Sequence, residues 1–348
     1  MKLGYRLRWD DKSLRIDLER VRRVERMGFD SVWSAEAYGS DAFTPLAYVA
    51  AHTRHLRLGT SVAQLAARTP AATAMAIGTL DALAGAGRAL LGLGVSGPQI
   101  VEGWYGQPWG RPAARMRDTV AIVRKVLARE GPVSHAGREI ALPYTGPGSI
   151  GMGKPLKSIL HCNPKIPILL GTGARATVEL TAEIADGWLP FGFRPGAMKT
   201  YRPWLEAGFR RAGGGKSLAN FEIWAGTTLR ITDDVAAALA EQKPFIALYV
   251  GGMGHPKLNF HKLRMEREGW PEAANRIQEL FLAGRRAEAI AAVPDDYVDS
   301  GGLVGPVARI RERWKPWLDS GATGLIVEAA SDEELALAAE LAELRPRA

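Results

Sequence analysis

The stretch "RALLGLGVSGPQIVEGWYG", residues 88–106, places Gly92, Gly94 and Gly97 in G-x-G-x-x-G spacing directly after an apolar run. In a dinucleotide-binding domain such glycines turn the chain after the first strand, and an acid ends the second strand ~20 residues later. Here three β-rich runs come first: "KLGYRLR" from residue 2, "DSVWSAE" from residue 30 and "LRLGTSV" from residue 56. The acid at the right distance, Asp118, falls inside the helical pattern "PAARMRDTVAIVRKVLARE". Pro98, next to the third glycine, also fits a helix-opening phosphate turn poorly. The glycines therefore belong to a fourth strand, and the fold depends on how many strands the rest of the chain adds.

Four more are present. "IPILLG" ends at residue 171, "GWLPFG" at 192, "FEIWAGTTLRI" at 231 and "ATGLIVEA" at 329. Amphipathic helices separate the strands. In the first, Leu14, Leu18, Val21 and Met27 lie near one face. In "TPAATAMAIGTLDALAG", Thr69 is an N-cap ahead of Pro70 at the first helical position. Eight strands alternating with helices predict an α/β fold of the (β/α)8, or TIM-barrel, type rather than an open doubly wound sheet. Two segments interrupt the rhythm. Residues 131–165 carry a hairpin, "VSHAGREIALPY", and a Gly/Pro-rich stretch after strand 4; residues 233–320 form a helical excursion between strands 7 and 8. The alternation resumes after each, so residues 1–348 read as one domain.

Composition narrows the function classes. The chain has 348 residues, 47% of them hydrophobic, enough for a sizeable core. Cys162 is the only cysteine, so an intrachain disulfide is excluded and a reducing cytoplasm is the expected setting. Neither a signal-peptide core nor a membrane-spanning apolar run is present. The net charge is +8, but acids interleave with the arginines on helices such as "DLERVRRVERM". That pattern describes solvated faces, not a nucleic-acid surface. The expected partners are a small-molecule substrate and a second copy of the chain in a homo-oligomer, a dimer; nucleic acid and membrane are not expected.

In a (β/α)8 barrel, ligands bind at the C-terminal strand ends. The candidates are therefore Arg6, Arg8 and Trp9; Glu36 and Ala37; Ser61, Val62, Ala63 and Gln64; Ser96 and Gly97; Gly171 to Ala174; Phe191 to Arg194; Thr227 and Thr228; and Glu328. Few are strong acids or bases, and no metal-ligand spacing occurs. Such a site suits a cofactor that carries its own reactivity. "LLGTGARATVELTAEIADGW" ends a strand at Gly171, continues through Thr172, Gly173 and Ala174, and opens a helix near Arg175. Its backbone N–H groups could converge on an anion, or make an ordinary tight βα turn. The histidines suit surface and capping places, with His255 and His261 able to overhang the barrel mouth. Trp33 and Trp188 belong to the core; Trp104 and Trp109 could wall a ring-shaped ligand.

Together, "SVWSAEAYGSDAFTPLA", the whole run from Leu56 to Gly106, "GKPLKSIL", "IPILLGTGARATVELTAEIADGWLP" and "YVGGMGHPKLNFH" resemble the bacterial-luciferase-like superfamily, in its branch that uses the deazaflavin coenzyme F420. The resemblance implies a non-prolyl cis peptide at Ser61–Val62, pressed against the concave face of the deazaflavin, with Gln64 at the ring edge and Ala63 beside it among the coenzyme-binding residues. It implies that the fourth-strand glycines, Ser96 and Gly97 make room for the ring system and its side chain. Gly171, Thr172, Gly173 and Ala174 would cradle the coenzyme's phosphate, and Arg175 and Arg194 would meet its acidic tail. Alcohol and sugar-phosphate dehydrogenases of this family carry an acid–His pair at the end of the second strand. Glu36 and Ala37 stand there, and Gly97 and Pro98 replace a further acid in the fourth-strand loop. Glu36 then remains for proton transfer or polar orientation. Hydride transfer to an activated double bond is the implied activity; an FMN-dependent monooxygenase and a non-catalytic carrier are the alternatives.

Overall fold

The structure, a computed structural model, describes residues 1–7, 13–255 and 258–347. Eight strands, β1 (Lys2–Arg6), β2 (Ser31–Ser34), β3 (Arg57–Thr60), β4 (Ala89–Gly94), β5 (Ile168–Gly171), β6 (Gly187–Trp188), β7 (Glu222–Ile231) and β8 (Gly324–Ala329), pair in parallel in chain order. β8 pairs back onto β1, with Lys2 opposite Gly324 and Tyr5 opposite Val327. The barrel is closed, as the strand count predicts.

Strand periodicity divides the side chains between two cores. On β4, Leu91 and Leu93 join the large core beneath the helices, whereas Leu90 joins Trp33, Leu169, Leu189, Trp224 and Ile326 inside the barrel. The Trp33 and Trp224 rings meet at 5.2 Å. They fit because a Cβ on Gly4 or Gly59 would overlap Trp33, and one on Gly324 would overlap Trp224. Charges seal the N-terminal end. Arg57 pairs with Asp30 at 2.7 Å and with Glu222 at 3.3 Å, and Glu222 also takes Lys2 at 2.9 Å and Trp224 Nε1 at 2.6 Å. With that end closed, the glycine-rich strand tips at the other end are the open ones.

Several details differ from the sequence reading. Asp17 caps the first helix by accepting from the Arg20 N–H, so the helix runs Leu18–Arg26; Leu14 lies outside it and Val24 joins Val21 in the core. β3 ends at Thr60 and a short strand, Ala63–Gln64, resumes pairing with β4. Pro98 does open a helix, of one turn, Pro98–Val101, with Gly97 at its N-cap. The excursion holds helices Val235–Gly251, Phe260–Arg267, Pro271–Leu282, Arg286–Ala291 and Asp295–Asp299, packed around their own core of Ala247, Met265, Ile277 and Tyr297. The excursion is not all helical: Leu303–Gly305 forms a strand parallel to β7. Its last helix, Val307–Leu318, belongs to the barrel's outer ring, burying Ile310, Trp314 and Trp317 there.

The 131–165 insertion forms the expected hairpin, with His135–Ala136 antiparallel to Ala141–Leu142. Asp118 pins it, accepting from the Glu139 and Ile140 amides at 2.8 and 3.0 Å and lying 3.1 Å from His135 Nε2. The acid that a dinucleotide fold would place on a ribose here fastens a hairpin. Among the described residues, no helix is long and apolar enough to cross a membrane, and no cluster of His, Cys, Asp and Glu could hold a metal ion.

Candidate active site

The polypeptide bulges between β3 and the strand Ala63–Gln64, and the Ser61–Val62 peptide there is cis. β4 and β5 are shaped to receive it. Thr60 exchanges hydrogen bonds with Gly92 through its Oγ1, at 2.7 and 2.9 Å, and its carbonyl occupies the place of a Gly92 Cβ. A Cβ on Gly94 would come within 2.5 Å of Val62 Cγ2, and one on Gly171 within 3.0 Å of Val62 Cγ1. The glycines therefore make room first for the bulge. The bulge in turn presents Val62 to the barrel mouth, where it packs as a partly buried member of the inner cluster.

Glu36, just beyond β2, holds this region together. Its side chain is 4% exposed, and Arg68 Nη1 donates to Oε1 at 2.6 Å. The Gln64 N–H donates to Oε2 at 2.8 Å, while Gln64 Nε2 donates to the Glu36 carbonyl at 3.1 Å. Arg68 also lies over the Phe43 ring and 3.6 Å from Asp41. The carboxylate is thus committed on both oxygens to neighbours within the wall. Burial, and then Glu36, raise the Tyr105 hydroxyl above its ordinary pKa. Gln64 Oε1 is buried without a partner, an acceptor left over in an otherwise bonded wall. Ala37 is exposed at the rim. Ser96 adopts the left-handed backbone region (φ +57°), turning the chain over Gly97.

The β5 tip makes the anticipated turn. Helix Arg175–Ile184 begins after Ala174, which offers no side-chain cap, so its first amides remain available. Thr172 spends its hydroxyl on Thr181 and its carbonyl on Trp188 Nε1. A Cβ on Gly173 would meet nothing within 4 Å, so a ligand can approach there. Arg267 donates to the Gly173 carbonyl at 3.1 Å, an arginine the sequence reading did not single out. Arg175 is bound to Glu179 on the exposed helix face. Arg194 is elsewhere. It lies buried over the Tyr297 ring, 3.5 Å from Glu268, and donates to Ser300.

The opposite wall is polar below and aromatic above. Arg6 lies 3.9 Å from Glu328, and Gly226 leaves room for its guanidinium. Thr227 faces outward, donating to the Gly301 carbonyl. Arg8 and Trp9 lie outside the described residues. Phe191 stacks on Tyr249 with centroids 5.5 Å apart, and His261 stands edge-on to both. Gly192 (φ +66°) leaves space for Arg264, which donates to the Phe191 carbonyl at 2.7 Å and to Tyr297 Oη at 2.6 Å. Burial foremost, and Arg264 second, lower the His261 pKa to about 3, so its imidazole is neutral. Trp104 meets Tyr38 at the rim, whereas Trp109 lines a small pocket with Leu65, Ala66, Val95, Pro112 and Arg115. Trp33 and Trp188 are fully buried.

The structure thus brings Glu36, the 61–64 bulge and the glycines of β4 and β5 into one wall. Arg68, Tyr249, Arg264 and Arg267 join the site without having been read from sequence. Arg68 lies beyond the Leu56 strand in the chain, and the parallel pairing of β2 with β3 brings it to Glu36, 32 positions earlier.

Residues 3–324 match the sequence profile described as luciferase-like monooxygenase. A Mycobacterium tuberculosis H37Rv protein, provisionally named a coenzyme F420-dependent oxidoreductase, is 48% identical over 337 residues, 96% of this chain and 97% of the relative. The 5,10-methylenetetrahydromethanopterin reductase of Archaeoglobus fulgidus is 28% identical, covering 94% of this chain and 92% of its own. In fold, the F420-dependent tetrahydromethanopterin reductase of Methanopyrus kandleri superposes with a TM-score of 0.76 at 24% identity, over 99% and 98% of the two chains.

Proposed function

The chain belongs to the luciferase-like family of oxidoreductases, and on that premise we propose that it uses coenzyme F420 to reduce an activated double bond in a small organic substrate. The observation that carries the reading is the wall built around the Ser61–Val62 bulge. The bulge fills the space over Gly92, Gly94 and Gly171, presents Val62 to the barrel mouth and leaves one unpaired acceptor, Gln64 Oε1. A deazaflavin fits those features. Val62 would give its flat ring an apolar face to lie against, and the imide N–H at its edge needs an acceptor. Gly173, Ala174 and the first amides of helix Arg175–Ile184 would hold its phosphate, aided by the helix dipole.

When bound in reduced form, the coenzyme supplies a hydride from C5, and a proton from solvent completes saturation of the acceptor. The protein's own work is to orient and to exclude water. Glu36 orients Gln64 and the bulge, because both of its oxygens are engaged by Arg68 and the Gln64 amide. With Ala37 beside it, no imidazole stands at this strand end to take a hydroxyl proton, and this favours reduction over alcohol oxidation.

Titration of the purified protein with F420 and with FMN, followed by tryptophan fluorescence, tests the cofactor. F420 is expected to bind at least tenfold more tightly. Preference for FMN, with oxygen uptake by the reduced flavin complex, would replace this reading with a monooxygenase.

A further inference from the structure

Contiguous exposed aromatic surface marks a ligand site or an interface. Six rings collect at this barrel's mouth. Tyr38, after β2, and Trp104, after β4, are 50% and 61% exposed and meet edge-on at 6.5 Å. Phe191, after β6, is 49% exposed on its stack with Tyr249, and Phe245, 51% exposed, meets Tyr249 at 4.2 Å. His261 closes the corner, 4.8 Å from Phe191 and 4.7 Å from Tyr249.

The two groups are one assembly. Tyr38 Oη donates to Met253 Sδ, and Gln99 donates to the Met253 carbonyl, tying the β2 and β4 loops to the segment after Tyr249. Below them the barrel is filled by Trp33, Trp224 and Ile326, so the rings cannot sink into the core. Tyr38, Trp104 and Phe191 follow the ends of three barrel strands, and Phe245, Tyr249 and His261 come from helices Val235–Gly251 and Phe260–Arg267 of the excursion.

The cations around the barrel mouth already have oxygens. Arg6 has Glu328, Arg68 has Glu36, and Arg264 has the Phe191 carbonyl and Tyr297 Oη. The His261 ring hydrogen-bonds none of the described residues, leaving a neutral N–H for an oxygen of low charge. An anionic ligand would have to compete for cations that already have oxygens, whereas a flat π-system stacks on the exposed rings and gains beyond its buried area.

We infer that the second ligand of this site is a neutral, planar, conjugated carbonyl compound, an aryl enone in class, stacked between Phe191 and Trp104. The inference rests on the proposed reductase activity for its choice of an activated double bond.

The test is calorimetric binding of trans-chalcone, trans-cinnamate and glucose 6-phosphate to the full chain, with F420 titrated first on the same samples. Chalcone is expected to bind at least tenfold more tightly than cinnamate, with no saturable binding of the sugar phosphate. Phe191→Ala and Trp104→Ala should each weaken chalcone about tenfold while leaving F420 affinity within twofold, and Phe191→Tyr should restore binding. Should Phe191→Ala misfold, Trp104→Ala decides, because its side chain lies mostly in solvent. Equal or tighter binding of either anion overturns the inference, as does chalcone affinity untouched by the aromatic variants. If F420 binds and chalcone does not, this inference falls alone. If chalcone saturates the protein and F420 does not bind, the cofactor reading falls and the inference stands.

Discussion

Replacing Arg68 with methionine probes the wall on which the site is built. The substitution keeps the apolar stem but removes the guanidinium that lies over Phe43 and donates to Glu36 Oε1 at 2.6 Å. Glu36, with a side chain 4% exposed, is then a buried carboxylate with only the Gln64 amide for support. Stranding one member of a buried ion pair costs ~3–5 kcal/mol. With an unfolding entropy of ~2.1 cal/mol/K per residue, that loss lowers Tm by ~4–7 °C in a chain of this length. Glu36→Gln should be milder, ~1–2 kcal/mol, because an amide oxygen can still accept from Gln64 and Arg68 retains Asp41 at 3.6 Å. The double variant should be no less stable than Arg68→Met alone, a coupling of at least ~1.5 kcal/mol. Differential scanning calorimetry of the four proteins at pH 7 measures this cycle. A loss below ~1 kcal/mol for Arg68→Met, or single losses that simply add, would refute the reasoning. F420 titration of the same proteins should show at least tenfold weaker binding in Arg68→Met, since Glu36, which positions Gln64, loses its own anchor.

The geometry gives three further outcomes. Gly94→Ala puts a methyl 2.5 Å from Val62 Cγ2, so it should cost ~1–3 kcal/mol by thermal unfolding and displace the bulge enough to weaken F420. Gly173→Asp has open space for its side chain, so Tm should stay within ~1 °C while F420 affinity drops at least tenfold through repulsion of the phosphate. Unchanged affinity would place the phosphate elsewhere. His261, with a folded pKa of about 3, takes up its proton far later than it does unfolded, near 6.5. Stability is therefore lost as pH falls from 6.5 toward 3, ~2 kcal/mol by pH 5, and Phe at position 261 should remove that slope between pH 7 and 5.

Some of the site was legible because it depends on local chemistry. Thr69–Pro70 marks a helix start by capping, and Ala174 before Arg175 marks another by the turn after β5; both stand as read. The Glu36–Arg68 pair was not legible. Nothing in either segment says that strand ends 32 residues apart share a wall. Arg194 misled for the converse reason. It sits at a strand end, but the excursion's Glu268, Tyr297 and Ser300 draw it into a second core. Leu14 was misassigned because its spacing fits a helix that Asp17 begins later.

By itself, the order of residues determined the eight barrel strands and the helices between them, hence the closed barrel. Periodicity and capping act over a few residues, and eight alternations leave few ways to bury both faces of every strand. Only the folded chain decided what the glycines are for. Gly92, Gly94 and Gly171 are empty because Thr60 and Val62 from another strand fill the space above them. Contacts of that kind belong to barrel closure, which sets strand against strand at a stagger no local pattern encodes.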